Sequence, residues 1–210
     1  MRGLLGALLA AGAVRGFTHD PFKKLSPADV RPGGKLRSSE MRRLRAGLQS
    51  QYPDAIASVE AGSLWGSGAW GARGQAEAGP LLMQIAKAPN RMQLLLVDGL
   101  PLFFREGEDG LVVPTLRLLH CLPHLLPTCR VDRGAIKHVI SGAVIMAPGI
   151  HQADPVPAGG VVAVLAEESP NAIAVGVLLR DSAVIVAADS GPAVEVLHRL
   201  KDGLWHMGEG

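Results

Sequence analysis

The sequence predicts an α+β protein in which a small N-terminal α+β domain is followed by a small C-terminal β-barrel. Two apolar runs in the first half flank an Asp-Gly pair, which is typical of a tight β-hairpin. After Arg130 the pattern changes to one short helix and several short strands with regular turns, which indicates a barrel. A chain of 210 residues is long enough for two such domains.

The composition is that of a folded chain with nearly balanced charge. Hydrophobic residues make up 48% and aromatic residues only 4%, so a core of Val, Leu, Ile and Ala is expected. The net charge is only +2, so a site for a polyanion must be a local patch. Cys121 and Cys129 are the only cysteines, and neither asparagine lies in a glycosylation motif. A reducing compartment, the cytoplasm, is therefore expected.

The N-terminus leaves that location open. Arg2 precedes an apolar run from Leu4 to Val14, which fits a secretory signal peptide. No acid comes before Asp20, which also fits an organellar transit peptide, and a dispensable extension is a third interpretation. The run is too short to span a bilayer, and we expect no membrane partner. Residues 1–20 are therefore predicted to form an N-terminal extension outside the two domains.

The first domain is predicted to cover residues 21–129. A helix is expected from Glu40 to about Gln51, capped by Ser38 or Ser39. Its apolar stripe, at spacings of three and four, is formed by Met41, Leu44 and Leu48. Three arginines lie mostly off this stripe and fit either a solvated face or an RNA contact. They are Arg42, Arg43 and Arg45.

The rest of this domain contains an insert, a hairpin and a second helix. Residues 61–80 are rich in Gly and Ala without a regular period, which predicts an inserted loop. The runs Gln93 to Val97 and Leu100 to Phe104 flank the Asp-Gly pair and predict the hairpin. Pro114 is expected in the first turn of a helix through His120.

The second domain is predicted to cover residues 130–208. Asp132 is expected to cap a helix from Arg133 to Ser141, and Gly142 to supply its left-handed C-terminal residue. Strands are predicted at Val144 to Met146, Val161 to Leu165 and Ala172 to Leu179. The run from Val161 to Leu165 is apolar without alternation. Either it is a strand with both faces covered, or the pattern does not distinguish a helix from a strand there. Residues 183–188 fit a helix or a strand equally well.

Motifs for catalysis or metal binding are not found in the sequence. A nucleophile elbow, a phosphate-binding loop, a zinc-protease motif and paired carboxylates in a structured context are all missing, so no catalytic residue or cofactor is expected. Four side chains able to bind zinc lie close together but with poor spacing. They are His120, Cys121, His124 and Cys129, and no metal site is expected from them.

Longer stretches carry a family resemblance. The segment from Val131 to Ile150, VDRGAIKHVISGAVIMAPGI, resembles the opening of a PUA domain, an RNA-binding module named for pseudouridine synthases and archaeosine transglycosylases. Other motifs resemble the malignant T-cell-amplified sequence family and occur in family order over about residues 22–207. They are Phe22-Lys23-Lys24, Gln51-Tyr52-Pro53, Leu102-Phe103-Phe104-Arg105, Pro114 to His120, and Asp202 to Met207.

The resemblance implies a C-terminal PUA-type β-barrel and a non-catalytic translation factor. Such a factor pairs with a density-regulated-protein-like partner and acts on the small ribosomal subunit in reinitiation, recycling and tRNA handling. Its RNA is the tRNA acceptor end, small-subunit rRNA or both. The extension before residue 22 and the insert at residues 61–80 depart from the family pattern.

The resemblance, with the cationic side chains and turn residues it covers, gives an expected RNA-binding set. The set is Arg133, Gly134, Ala135, Lys137, His138, Gly142, Ala143, Pro148 and Gly149. Two alternatives stay open: a PUA-containing RNA-modification enzyme or its accessory subunit, and a protein-interaction adaptor that does not bind RNA. The first domain is short for the former and shows no obvious catalytic acid.

Overall fold

The computed structural model describes residues 19–33, 36–60, 83–97 and 99–207. The α+β class is confirmed: helices and two antiparallel-rich sheets alternate along the chain. The predicted insert at residues 61–80 lies outside the described residues, as does the extension before residue 19. Within the described ranges, every helix is too short or too polar to cross a lipid bilayer.

The first sheet has the strand order β1-β2-β3-β4-β5, and its pairs are antiparallel. The strands are β1 (Arg31–Pro32), β2 (Met83–Lys87), β3 (Met92–Val97), β4 (Leu100–Glu106) and β5 (Val113–Pro114). The helices of this part are α1 (Ser38–Gln51), α2 (Pro53–Glu60) and α3 (Leu116–Cys121). The predicted hairpin is confirmed as β3 and β4, and Gly99 adopts the positive φ of +82° that favours glycine there.

Two predicted helix starts in this domain are wrong. Helix α1 begins at Ser38, so Ser38 and Ser39 lie inside it, and Arg37 precedes the first turn with its amide donating to Glu40 Oε2 at 2.9 Å. Pro114 lies in β5 opposite Phe103. A proline without an N–H group is tolerated in this edge strand, and Thr115 caps α3 instead.

The second sheet has the strand order β7-β11-β10-β9-β6-β8, in which only β6 and β9 pair in parallel. The strands are β6 (Thr128–Val131), β7 (Ile145–Met146), β8 (Ile150–Ala153), β9 (Val161–Ala166), β10 (Ala172–Leu178) and β11 (Pro192–Arg199). The helices are α4 (Ile136–Ser141), α5 (Ser182–Val186) and α6 (Gly203–His206). Strand β6 starts at Thr128, so the boundary placed between residues 129 and 130 falls inside it.

The predicted helix from Arg133 is three residues too long at its start. Residues 133–135 form a turn, because the Asp132 carboxylate accepts the amide of Ala135 at 2.7 Å and α4 begins only at Ile136. The left-handed end is confirmed, since Gly142 has a φ of +82°. The ambiguous residues 183–188 lie largely in α5.

The two halves of the molecule share one apolar core. The outward face of β9 supplies Val161, Ala163 and Leu165 to the cluster that contains the residues of the first sheet. Its other face supplies Val162 and Val164 to the barrel interior. Both faces of this strand are therefore covered, which explains its unbroken apolar sequence.

Candidate nucleic-acid interface

The turn at residues 133–135 and the following helix α4 form one continuous surface feature. Asp132 holds the turn through its carboxylate, and the carbonyl of Ala135 accepts the amides of His138 and Val139 at 2.9 and 3.0 Å. Val139 is buried in the barrel core. The helix is therefore anchored on one side, which leaves the opposite side in solvent.

A second loop lies against this turn. The amide of Asp132 donates to the carbonyl of Gly149 at 2.9 Å, and a Cβ atom built on Gly149 would lie 3.1 Å from the Cβ of Ala135. Glycine at residue 149 thus allows the two backbones to pack closely. The structure therefore brings the turn and the loop at Pro148 together.

The basic members of the expected set are on the exposed side. Arg133, Lys137 and His138 are exposed, together with Gly134 and Pro148, whereas Ala135 and Gly149 are half-buried. Arg133 lies in the turn rather than in the helix, so its spacing of four from Lys137 does not describe one helical face. Within the described part of the chain, neither Arg133 nor Lys137 forms a salt bridge.

Gly142 and Ala143 occupy structural positions. Gly142 is buried, and a Cβ atom there would collide with the Asp20 carboxylate and lie 2.8 Å from Nε of Arg199. The amides of Gly142 and Ala143 donate to the carbonyls of Val139 and His138 at 2.9 and 3.1 Å and so close the end of α4. These two residues shape the helix end, and Gly142 is not on the exposed face.

A buried ion pair beneath α4 has no counterpart in the sequence prediction. Arg199 Nη2 donates to Asp20 Oδ2 at 3.1 Å, and both side chains are less than one-tenth exposed. The amide of Asp20 also donates to the carbonyl of Val196 in β11 at 3.4 Å. The predicted extension includes residues 19 and 20, but these two contact the second sheet. No spacing in the sequence joins Asp20 to Arg199, because their contact is purely tertiary.

The junction between the halves is polar as well as apolar. His198 Nδ1 and Asp202 Oδ2 are 2.7 Å apart and both side chains are buried. The guanidinium of Arg117 lies 4.9 Å from the ring centroid of Trp205 and donates to its carbonyl at 2.7 Å. His120 lies beside the same indole, with the ring centroids 5.4 Å apart. The C-terminal family motif therefore fixes the two halves together.

The four zinc-binding residue types near residue 120 have separate surroundings. His120 Nε2 lies 2.8 Å from the carbonyl oxygen of Ala172, and His124 Nε2 lies 3.5 Å from Asp54 Oδ2. Cys129 is in the barrel core, where burial raises the pKa of its thiol to about 12 and keeps it neutral. Among the described residues, no three His, Cys, Asp or Glu side chains lie close enough to hold a metal ion.

Comparisons with known proteins agree with this architecture. The Pre-PUA-like domain model matches residues 24–123, and the PUA domain model matches residues 127–200. A hypothetical protein from Pyrococcus horikoshii, known from its crystal structure, is 24% identical. It covers 85% of this chain and 99% of its own with a TM-score of 0.61, which shows the shared fold.

Two characterised relatives identify the family. Translation machinery-associated protein 20 of Saccharomyces cerevisiae is 36% identical over 195 residues, or 89% of this chain and 98% of that protein. Malignant T-cell-amplified sequence 1-B of Xenopus laevis is 43% identical over 129 residues, or 60% of this chain and 71% of that protein. The chain therefore belongs to the family of Translation machinery-associated protein 20 and the malignant T-cell-amplified sequence proteins, in which a Pre-PUA-like domain precedes a PUA domain.

Proposed function

We propose that this protein is a non-catalytic, RNA-binding translation factor of the cytoplasm. The observation that carries the proposal is the exposed basic face of the turn and α4 in a PUA domain, formed by Arg133 and Lys137 with His138 beside them. Guanidinium and ammonium groups donate to phosphate oxygens, and such contacts supply most of the affinity of RNA-binding proteins. The name of one relative, Translation machinery-associated protein 20, supports the same role.

The finer proposal follows the family. The factor acts on the small ribosomal subunit in reinitiation, recycling and tRNA handling, together with a density-regulated-protein-like partner. Its RNA is the tRNA acceptor end, small-subunit rRNA or both. The face described above is small, which fits contact with a few nucleotides while other surfaces remain available to a protein partner.

The test is a charge reversal on this face. Lys137→Glu, alone and with Arg133→Glu, should weaken binding to purified small subunits and to tRNA. For every phosphate that the variant no longer neutralises, the plot of log affinity against log salt should become flatter by about 0.7–0.9. The fold should stay intact, because exposed substitutions usually change stability by no more than about 0.5 kcal/mol. Fluorescence titrations at several salt concentrations measure both the affinity and the slope.

The matched control makes the same charge change on the first sheet. Lys87→Glu alters an exposed residue of β2 and should leave the salt slope unchanged. Equal affinity and slope for wild type and Lys137→Glu would instead favour a protein-interaction adaptor. Formation of a modified nucleotide in tRNA by the purified protein would favour the RNA-modification alternative.

A further inference from the structure

The large apolar side chains that are exposed within the described residues gather at one end of the second sheet. Met146 lies opposite Pro192 at the start of β11, and the amide of Leu179 donates to the carbonyl of Ala193 on the other side of that strand. Helix α5 follows Leu179 closely and packs against β8 and the loop at residues 147–149. The apolar patch consists of Met146, Leu179, Val184 and Val186, which are between 40% and 51% exposed.

Helix α5 has no charged residue to make this surface soluble. The run from Ser182 to Ala188 contains only Ser, Ala, Val and Ile, with Ile185 buried and the two valines of the patch turned to solvent. Soluble proteins rarely leave clustered apolar side chains exposed, and such clusters commonly mark a contact site. An apolar occupant would remove this surface from water.

The chain itself supplies an apolar segment that starts beside the patch. His19 Nδ1 lies 3.5 Å from Glu195 Oε1, and Asp20 is bonded to the next residue of β11. From Asp20 to His19 the chain therefore runs beside β11 in the direction of Pro192. Pro192, with its neighbour Met146, lies three positions before Glu195 along the strand, a distance of about 10 Å.

We infer that residues 4–14 bind the apolar patch as an intramolecular ligand. This run contains only Leu, Ala, Gly and Val, so it matches the uncharged surface of α5. Val14 lies five positions before His19, and an extended stretch of five steps spans up to about 17 Å, more than the distance to Met146. Covering the patch removes apolar surface from water. The guanidinium of Arg180, a charge at the edge of the patch, already donates to the carbonyls of Pro192 and Ser190 at 3.1 and 3.2 Å. The inference does not depend on the proposed function.

Photo-crosslinking of the full-length chain tests this contact. A benzophenone amino acid in place of Leu8 should crosslink to residues 143–150 or 179–188 of the same molecule, as located by mass spectrometry. The same amino acid in place of Gln49, an exposed residue of α1, is the matched control and should not label these peptides. Crosslinks elsewhere overturn the inference. So do crosslinks between isotopically labelled and unlabelled copies, which would identify a second copy as the occupant.

A deletion gives an independent readout. Removing residues 2–18 should increase the fluorescence of an apolar dye, because the patch becomes free, and Val184→Glu in the shortened protein should reverse the increase. Val184 is 51% exposed, so this substitution does not disturb the core. If the deletion leaves dye fluorescence unchanged while Val184→Glu weakens RNA binding, RNA is the occupant and the inference fails.

Discussion

Gly142 shows how a single residue of the PUA domain sets the shape of the candidate interface at the end of α4. Its φ of +82° is costly for a residue with a side chain, by roughly 1–2 kcal/mol. A methyl group would also press on the buried pair of Asp20 and Arg199, and overpacking of this kind costs about 1–3 kcal/mol. Gly142→Ala should therefore lower the free energy of unfolding by the sum of these terms, as measured by urea titration.

Gly134→Ala is the matched control for that substitution. Gly134 is exposed, and the nearest atom to an added Cβ is Asp132 Oδ1 at 3.3 Å. We expect a change in unfolding free energy within about 0.5 kcal/mol. Comparable losses for the two variants would contradict the structural role assigned to Gly142.

The exposed basic residues of the candidate interface can be predicted from the sequence better than its structural residues. Arg133, Lys137 and His138 are polar residues beside an apolar anchor, a pattern that can be recognised along the chain. The burial of Gly142 depends on Asp20, which is remote in sequence, so no local pattern reveals it. Family motifs likewise do not show which residues meet in the fold. Phe22, for example, packs edge-on against Phe104 with the ring centroids 5.0 Å apart, although the two lie in separate motifs.

At the scale of elements, residues 19 and 20 form a short segment that fastens the N-terminal side of the chain to β11. Asp20→Asn removes the negative charge opposite Arg199 and leaves that guanidinium buried and unpaired. Breaking a buried ion pair from one side costs up to about 3–5 kcal/mol. The variant should melt at a clearly lower temperature than wild type, which calorimetry measures.

Two deletions distinguish the contribution of the ion pair to stability from that of the extension before it. Removal of residues 2–18 should change stability much less than removal of residues 2–20, because only the longer deletion removes Asp20. Equal stability of the two shortened proteins would show that the pair contributes little to the fold.

Elements with local signals can be predicted from the sequence, and those defined by tertiary pairing cannot. The β3–β4 hairpin and the left-handed end of α4 follow from Asp-Gly and from a single glycine. Strand β11 has no clear signal, because Glu195, His198 and Arg199 interrupt its apolar pattern. Burial of His198 and Arg199 in this strand is tolerated because Asp202 and Asp20 lie opposite them as hydrogen-bond and ion-pair partners.

At the scale of the whole molecule, the two predicted domains behave as one packed body. Tyr52 is fully buried and donates to the carbonyl of Val112 at 2.8 Å, and burial raises the pKa of its phenol. Its cluster continues through the first sheet to Leu197 of β11 and Leu204 of α6. A hinge between the halves would expose this apolar surface, so the structure favours a fixed orientation of the PUA domain.

The architecture could be predicted from the sequence, but the shared core could not. Short strands with regular turns indicated a barrel, and the unbroken apolar run of β9 left open what covers its two faces. The answer is the first domain on one side and the barrel interior on the other. Such packing depends on how the two sheets meet, which single-chain periodicity does not encode.

In the proposed function, the face of α4 touches RNA on the translation machinery. A photo-reactive amino acid at position 137, in full-length protein bound to purified small subunits with tRNA, tests this contact directly. We predict crosslinks to rRNA or tRNA from position 137, and far fewer from position 87 on the first sheet. Crosslinks from position 137 to protein alone would contradict an RNA contact of this face. So would RNA that is labelled from position 87 but not from position 137.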